Sequence, residues 1–264
     1  MTITRLTFVV LLAALATSVQ AETVNCTPIT SLPATITTPG IYCLTGNLGT
    51  SQSSGNAITI TANYVTLDLN GHKLDGHTAG TGTTAIGISS TGTDVTIKNG
   101  IVRAFYRGIY LTGAGAVVQD MLIDSNTFIG ITADGIGSLV EHNQVVNTGG
   151  AGTGAAIGID IEGSNETVSN NIVSGVTAQL AAHEYGILIY NSTAQDNVVS
   201  NTSIPGANAS YGISSKGSID TNNKVSTFSY CITSDSASIY SFNTVNNCQT
   251  DFSGGTDGSG NSGT

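Results

Sequence analysis

Three carboxylates fall at related positions of a repeated sequence pattern, so their chemistry depends on whether the fold brings them together. Asp134, Asp160 and Glu162 stand two or four residues after a recurring Gly-Ile pair. If each pair marks one strand of a parallel sheet, the three side chains lie on adjacent strands about 4.8 Å apart. Carboxylates that close either share a hard cation such as Ca²⁺ or keep one proton for acid–base work. We predict Asp134, Asp160 and Glu162 as a Ca²⁺ site and Asp160 and Glu162 as catalytic carboxyls.

A second interpretation of the same residues stays open. On an open and very acidic surface, water and salt screen the repulsion between neighbouring carboxylates, and the three residues would then be ordinary solvated acids.

One imidazole is placed to join the carboxylates. His183 closes an insertion at residues 176–184, one repeat beyond Asp160. Because histidine exchanges a proton near neutral pH, we predict His183 as a catalytic acid or base. The alternative is a solvated polar residue in an exposed loop. His72, Asp75 and His77 form another small cluster that could bind a transition metal.

Four further residues of the same predicted face suit a saccharide. Tyr110 and Tyr190 could stack on sugar rings, whereas Arg107 and Lys216 could donate hydrogen bonds. We predict these four as substrate-binding residues, although the tyrosines could equally be ordinary sheet aromatics. Tyr185, Tyr211 and Tyr230 directly precede a Gly or Cys and are expected to face inward. Insertions at 76–84, 149–156, 176–184 and 204–210 fall at one point of the repeat and are expected to wall a groove.

The element that positions these residues is a repeat of irregular length. The Gly-Ile pair recurs at Gly87, Gly108, Gly130, Gly158, Gly186 and Gly212, with Cys231-Ile232 as a variant. Three short runs rich in Val, Ile and Thr fit into each repeat, which leaves no room for a crossover helix. This pattern predicts an all-β fold, a parallel β-helix in which one chain winds through about eight coils.

A second sequence feature recurs once per repeat, as the Gly-Ile pair does. Asn or Asp recurs in each repeat, usually two residues before a Val, Ile or Leu: Asn70, Asn99, Asp120, Asn143, Asn170, Asn201, Asn223 and Asn243. Asparagine tolerates the left-handed backbone of a tight corner, and stacked amides can hydrogen-bond from coil to coil. We therefore predict a ladder of Asn at one corner.

The opening stretch GIYCLTGNL and the later NAITITANYVTLDLNGHKLDG carry a family resemblance. With the Gly-Ile repeat, they make residues 40–250 resemble the right-handed parallel β-helix proteins of the pectate-lyase-like superfold. The resemblance implies a right-handed helix. It implies no activity, because lyases, hydrolases, epimerases, adhesins and structural coats share the scaffold. The Gly-His-Gly motif of the polygalacturonase-like hydrolases and the Asp-Pro-His motif of the alginate-epimerase-like enzymes are both absent.

Composition limits the partners. The chain has 7 Lys and Arg against 17 Asp and Glu, a net charge of −10. This balance disfavours a nucleic acid partner, because phosphate binding needs clustered cations, and we expect none.

The first 21 residues are typical of a secretory signal peptide, with Arg5, an apolar run and a small-residue site ending at Ala21. We expect cleavage near Ala21, export to the periplasm or the extracellular space, and no membrane span. The four cysteines allow three pairings, of which Cys26–Cys43 and Cys231–Cys248 suit a solenoid whose ends are far apart. Residues 22–55 are predicted as an N-terminal cap, 56–250 as the β-helix and 251–264 as a disordered Gly/Ser-rich tail.

These features favour a secreted monomer that binds a polysaccharide or cell-surface glycan along one sheet face. The protein could also process that glycan, as a polysaccharide lyase or a related carbohydrate-active enzyme does. The alternative is a non-catalytic structural or adhesive protein, which the missing catalytic motifs and the shortage of cations would suit.

Overall fold

The protein is a right-handed parallel β-helix of about seven turns, close to the eight predicted. The computed structural model describes residues 23, 25–150, 154–179, 182–202, 204 and 209–263. The predicted signal peptide lies outside these residues. Within them, no helix is long and apolar enough to cross a membrane.

The strands, numbered in chain order, stack into three parallel sheets. The first sheet contains β2 (Ala34–Ile36), β5 (Asn56–Ile60), β8 (Ile86–Ser90), β10 (Arg107–Leu111), β12 (Ile129–Ala133), β15 (Ala156–Ile161), β18 (Glu184–Tyr190), β21 (Ser210–Lys216) and the first parts of β24 (Tyr230–Ser241) and β26 (Thr250–Asp257). The second contains β1 (Thr27–Ile29), β3 (Gly40–Leu44), β6 (Val65–Asp68), the first parts of β9 (Thr96–Arg103) and β11 (Val117–Asp124), β13 (Leu139–Glu141), β16 (Thr167–Ser169), β19 (Thr193–Gln195), β22 (Ile219–Thr221) and the ends of β24 and β26. The third contains β4 (Leu48–Gly49), β7 (Lys73–Asp75), the ends of β9 and β11, β14 (Gln144–Val146), β17 (Ile172–Ser174), β20 (Val198–Ser200), β23 (Lys224–Ser226) and β25 (Thr244–Asn246).

The Gly-Ile pair marks two consecutive inward positions on the first sheet. A Cβ on Gly186 would lie 2.3 Å from Cγ1 of the core residue Val199 and 2.6 Å from the carbonyl oxygen of Gly212. The same collision with the next coil recurs from Gly87 to Gly212. Glycine is therefore required for the coils to approach, and the Ile that follows fills one continuous hydrophobic core. The residue before each Gly consequently faces outward.

The predicted corner of Asn residues exists, but the structure divides its two roles between neighbouring residues. Asn70, Asn99, Asp120 and Asn170 take the left-handed backbone, with φ between 49° and 56°. The hydrogen-bonded ladder lies one position after the left-handed residue of each corner. It contains three of the predicted residues, Asn143, Asn223 and Asn243, together with Asn171, Asn197 and Asn261. Asn201, predicted as a rung, instead donates to the carbonyl of Val176.

This division predicts unequal effects of two adjacent substitutions. Asn171 is fully buried, donates to the Val140 carbonyl at 2.8 Å and accepts from the backbone N–H of Asn143 at 2.9 Å. Asn171→Ala leaves these buried groups unpaired and should lower the free energy of unfolding by about 3–5 kcal/mol. Asn170→Ala, at the exposed corner, should cost only about 1 kcal/mol. Urea denaturation of both variants measures the difference, and equal losses would contradict a role for the ladder.

The two ends of the β-helix carry the predicted disulfides, but the C-terminal tail differs from the expectation. Cys26–Cys43 and Cys231–Cys248 are disulfide-bonded, as predicted. The predicted disorder of residues 251–264 is wrong for the described part of that tail, because β26 pairs with β24. Asn261 forms the last rung of the ladder, and its amide donates at 2.6 Å to Asp257. The glycines that suggested disorder instead allow close packing; a Cβ on Gly254 would lie 2.1 Å from the Ser234 carbonyl.

Candidate functional site

Asp160 is a buried carboxyl on the outer face of the first sheet. It lies on β15, in register with Thr132 on β12 and Leu188 on β18. Its exposed fraction is only 2%, and its Oδ1 has no hydrogen-bond partner. Carboxyl groups are rarely buried with one oxygen left unpaired, so this position is costly for folding and suggests a functional role.

The surroundings of Asp160 raise its pKa to about 7. Burial is the largest cause, and the neighbouring carboxyl of Glu162 adds to it, as does the charge of Asp134. The charge of Arg107 acts in the opposite direction. Asp160 can therefore hold or release a proton near neutral pH, which is the property required of a general acid or base.

The three predicted carboxylates lie on neighbouring coils, as expected. Glu162 follows β15 and hydrogen-bonds through its backbone N–H to Ala133, directly before Asp134. Asp134 is half-buried and Glu162 is exposed. Among the described residues, no group of three or more His, Cys, Asp or Glu side chains is arranged to hold a metal ion. Ca²⁺ binding by Asp134, Asp160 and Glu162 stays a prediction.

Glu166 is a further buried acid that the sequence analysis missed. It is 1% exposed, its Oε2 accepts the N–H of Gly163 at 3.0 Å and its Oε1 has no partner. Burial raises its pKa to about 7, and the charge of Asp134 adds to the effect. In the adjacent coil this corner position holds Ser192, whose hydroxyl accepts the Glu166 N–H. The sequence did contain a signal for this residue, because other coils have a serine at the position where this coil has Glu166.

Arg107 lies beside this cluster in a fixed orientation. Its guanidinium carbon lies 4.8 Å from the ring centroid of Tyr110 and 5.5 Å from that of Phe128. One of its terminal nitrogens donates to the Thr132 hydroxyl at 3.4 Å. Cation–π contacts and this hydrogen bond hold the positive charge near Asp160. Substrate binding by Arg107 and Tyr110 stays a prediction.

Three tyrosines continue the same face, and the expectation that they face inward is wrong. Tyr185, Tyr211 and Tyr230 are half-buried and stacked, with centroids 5.0 and 5.3 Å apart. Because Gly takes the inward position after Tyr185 and Tyr211, these side chains point outward. The ring faces cover one another, so the stack offers a ligand its edges and hydroxyls.

His183 contacts this tyrosine stack. Its exposed ring lies edge-on to Tyr185 and Tyr211, at centroid distances of 6.2 and 5.8 Å. No described hydrogen bond joins His183 to Asp160, so its catalytic role stays a prediction. Lys216 and Tyr190, also predicted to bind substrate, contact each other, with the ammonium 5.2 Å from the ring centroid.

The insertion that contains His183 is anchored by a buried acid. Glu184 accepts the backbone N–H of Ala178 at 2.9 Å, which fixes the described part of the 176–184 insertion, and it accepts the amide of Asn201 in the next coil at 3.3 Å. Residues 151–153, 180–181, 203 and 205–208 lie outside the described residues, and the predicted groove wall falls partly on them.

Comparison with known proteins supports the fold. No protein-family profile and no curated protein sequence matches the chain. Among solved structures, the Dettilon tailspike protein is similar, with a TM-score of 0.66 and 15% identity over 88% of this chain and 51% of its own. The A-module of the Azotobacter vinelandii mannuronan C-5 epimerase AlgE4 has a TM-score of 0.55 and 14% identity over 84% of this chain and 81% of its own. The enzymatically active domain of tailspike protein 2 from bacteriophage CBA120 has a TM-score of 0.54 and 15% identity over 84% of this chain and 38% of its own. The chain thus spans about half the length of the Dettilon tailspike. These neighbours place the chain in the pectate-lyase-like β-helix fold.

Proposed function

We propose that the protein is secreted, binds a polysaccharide along the outer face of the first sheet, and processes it by acid–base chemistry at Asp160. The observation that carries the proposal is the buried carboxyl of Asp160, which interacts with Glu162 and whose Oδ1 has no hydrogen-bond partner. Similar folds in a mannuronan C-5 epimerase and in the enzymatically active domain of a phage tailspike support a polysaccharide substrate. Two disulfides support folding in an oxidising compartment.

The chemistry follows from the proton that Asp160 can exchange. A pKa of about 7 leaves the carboxyl partly protonated at neutral pH. The protonated form can donate to a glycosidic oxygen as its bond to carbon breaks, and the ionised form can remove a proton from a sugar carbon. Glu162 and Arg107 tune this carboxyl with opposite charges, because the first favours and the second disfavours protonation.

The tyrosine stack extends the binding surface away from the reacting carboxyl. Strands of the first sheet repeat about every 4.8 Å, so Tyr185, Tyr211 and Tyr230 present a row of phenol hydroxyls along the helix axis. Because their faces are mutually covered, they contact the glycan by hydrogen bonds and ring edges. Such contacts suit an extended chain that runs along the axis.

A hydroxyl-specific substitution tests this surface. Tyr211→Phe keeps the stack but removes one hydrogen-bonding group, so affinity for the bound polysaccharide should fall about 5–10-fold. The control is Tyr64→Phe, which alters a 67% exposed tyrosine directly before β6 of the second sheet. Affinity electrophoresis against neutral and acidic polysaccharides measures both. If no polysaccharide binds, or if both variants bind like the wild type, the proposed surface is wrong. Binding without turnover would instead identify an adhesive protein.

A further inference from the structure

A cavity of about 240 Å³ lies away from Asp160, where the insertion after β7 meets the corners of the next two coils. The insertion contributes the short 3₁₀ turn His77–Ala79 and the residues after it. The corners contribute Ala104 and Ser125, which lead toward β10 and β12. The cavity is lined by His77, Gly80, Thr81, Arg103, Ala104, Ser125 and Thr127.

Arg103 is the charged group of this cavity, and its orientation is fixed. Its Nε lies 3.9 Å from a carboxylate oxygen of Asp75 and 3.8 Å from one of Asp124. Both distances are too long for a hydrogen bond, and the Nε is buried without a partner. The guanidinium is therefore held between two carboxylates. Its buried Nε cannot reach a ligand, but its terminal nitrogens take part in no described hydrogen bond and are the donors available to one.

The charges around Arg103 favour a neutral ligand. Lys73 pairs with Asp75 at 2.8 Å, so two cations and two carboxylates balance in this cluster. An anion would meet the two carboxylates as well as the guanidinium, and its attraction would be largely cancelled.

The size and lining of the cavity suit a small polar ring. About 240 Å³ is below the roughly 300–1,000 Å³ of sites for drug-sized ligands. Gly80, Ala104 and the methyl groups of Thr81 and Thr127 offer apolar contact to C–H groups. Arg103 can donate hydrogen bonds to sugar oxygens, whereas the hydroxyls of Ser125 and Thr127, which already donate within the protein, can accept them from sugar hydroxyls.

We propose that this cavity binds a single neutral sugar residue, whose hydroxyl accepts a hydrogen bond from Arg103. The sugar comes either from a side branch of a polysaccharide or from a free monosaccharide. The site is separate from the first-sheet surface, and its occupation requires no chemistry at Asp160.

The test is an NMR titration of the ¹⁵N-labelled protein with glucose, galactose, mannose, rhamnose, N-acetylglucosamine and glucuronate. At least one neutral sugar should shift the amide signals of His77, Ala104 and Ser125, with a dissociation constant on the order of 1–10 mM. Glucuronate should bind at least fivefold more weakly. Arg103→Lys keeps the charge between Asp75 and Asp124 but loses the planar fork, so binding should weaken about tenfold.

Two controls separate this site from other effects. Lys224→Gln alters an exposed cation of the same third sheet and should leave sugar binding unchanged. Asp160→Asn should also leave it unchanged, so failure of the proposed function and failure of this site are distinguishable. A branched oligosaccharide that binds more tightly than its free branch sugar identifies the polymer as the source, and equal affinities identify the monosaccharide. The proposal is overturned if no neutral sugar shifts these signals at 100 mM, if glucuronate binds best, or if Arg103→Lys binds normally.

Discussion

Replacing Asp160 with Asn should abolish polysaccharide turnover, by about 10³-fold or more, while polysaccharide affinity changes less than threefold. Asparagine keeps the shape of the side chain but cannot exchange the proton that a carboxyl with a pKa of about 7 provides. The same substitution should raise the melting temperature at pH 8, because a buried carboxyl with a raised pKa no longer has to ionise there. We therefore expect this one variant to lose activity in turnover assays and to gain stability in thermal melts.

Substitutions of two neighbours of Asp160 should shift its pKa, and with it the pH profile of activity, in opposite directions. Glu162→Gln removes a charge that raises the pKa of Asp160, so the pH profile of activity should move toward acid. Arg107→Gln removes a charge that lowers this pKa, so the profile should move toward base. Shifts in the reverse directions, or full activity of Asp160→Asn, would rule out Asp160 as the catalytic carboxyl.

Calcium and a shared proton are competing explanations for how the carboxylate cluster is tolerated. If Ca²⁺ bridges Asp134, Asp160 and Glu162, added Ca²⁺ should raise the melting temperature of the wild type, and EDTA should reverse the rise. Asp160→Asn should then lose most of that response. If a proton is shared instead, Ca²⁺ and EDTA should change neither protein, and lowering the pH from 8 to 6 should stabilise the wild type.

The scaffold was predictable from the sequence because its constraints are local and repeated. The Gly-Ile pair reports a close approach of successive coils, and each coil imposes the same steric limit at Gly87, Gly108 and Gly130. The corner was predictable for the same reason. In one coil the sequence analysis assigned the ladder to Asn170, whereas the rung is Asn171. Both residues are Asn, and only the structure shows which amide is buried.

The site was less predictable because its properties depend on how deeply each side chain is buried and not only on its residue type. Aligning the repeats of the sequence placed Asp134, Asp160 and Glu162 on one face. The aligned repeats do not distinguish the buried Asp160 from the exposed Glu162. The direction of Tyr185 was mistaken because strict alternation does not hold where Gly186 and Ile187 both face inward. Glu166 departs from a serine position that becomes visible only when the second corner is aligned.

Asp220, a buried acid away from the candidate site, should make the protein more stable in mild acid than at neutral pH. Asp220 lies on β22 with its side chain in the core, fully buried, and the Ser215 hydroxyl donates to it at 2.6 Å. Ser234 donates at 3.4 Å, and the Oδ1 of Asp220 has no partner. Burial raises its pKa to about 6 from an ordinary value of 3.8, against the opposing effect of the two hydroxyls.

The direction of the pH effect follows from proton linkage. Between pH 4 and 6 the folded chain retains the proton on Asp220, whereas the unfolded chain has released it, so the free energy of unfolding falls as pH rises. A shift of this size corresponds to about 3 kcal/mol. Asp160 and Glu166, whose pKa values are raised to about 7, extend the same decline to neutral pH. Asp68 and Asp75 have lowered pKa values and act in the opposite direction only below about pH 4.

Urea denaturation at pH 4.5, 6.0 and 7.5 should therefore show declining stability for the wild type and a shallower decline for Asp220→Asn. At pH 7.5 the variant should be more stable by about 2–3 kcal/mol, because its core no longer contains an ionised carboxylate. At pH 4.5 the two proteins should differ by less than about 1 kcal/mol. Asp94→Asn, at an exposed corner, is the matched control and should follow the wild type. A wild type that is most stable at pH 7.5, or an Asp220→Asn variant with the wild-type slope, would mean that Asp220 is ionised in the fold and that the polar interior of the last coils is hydrated.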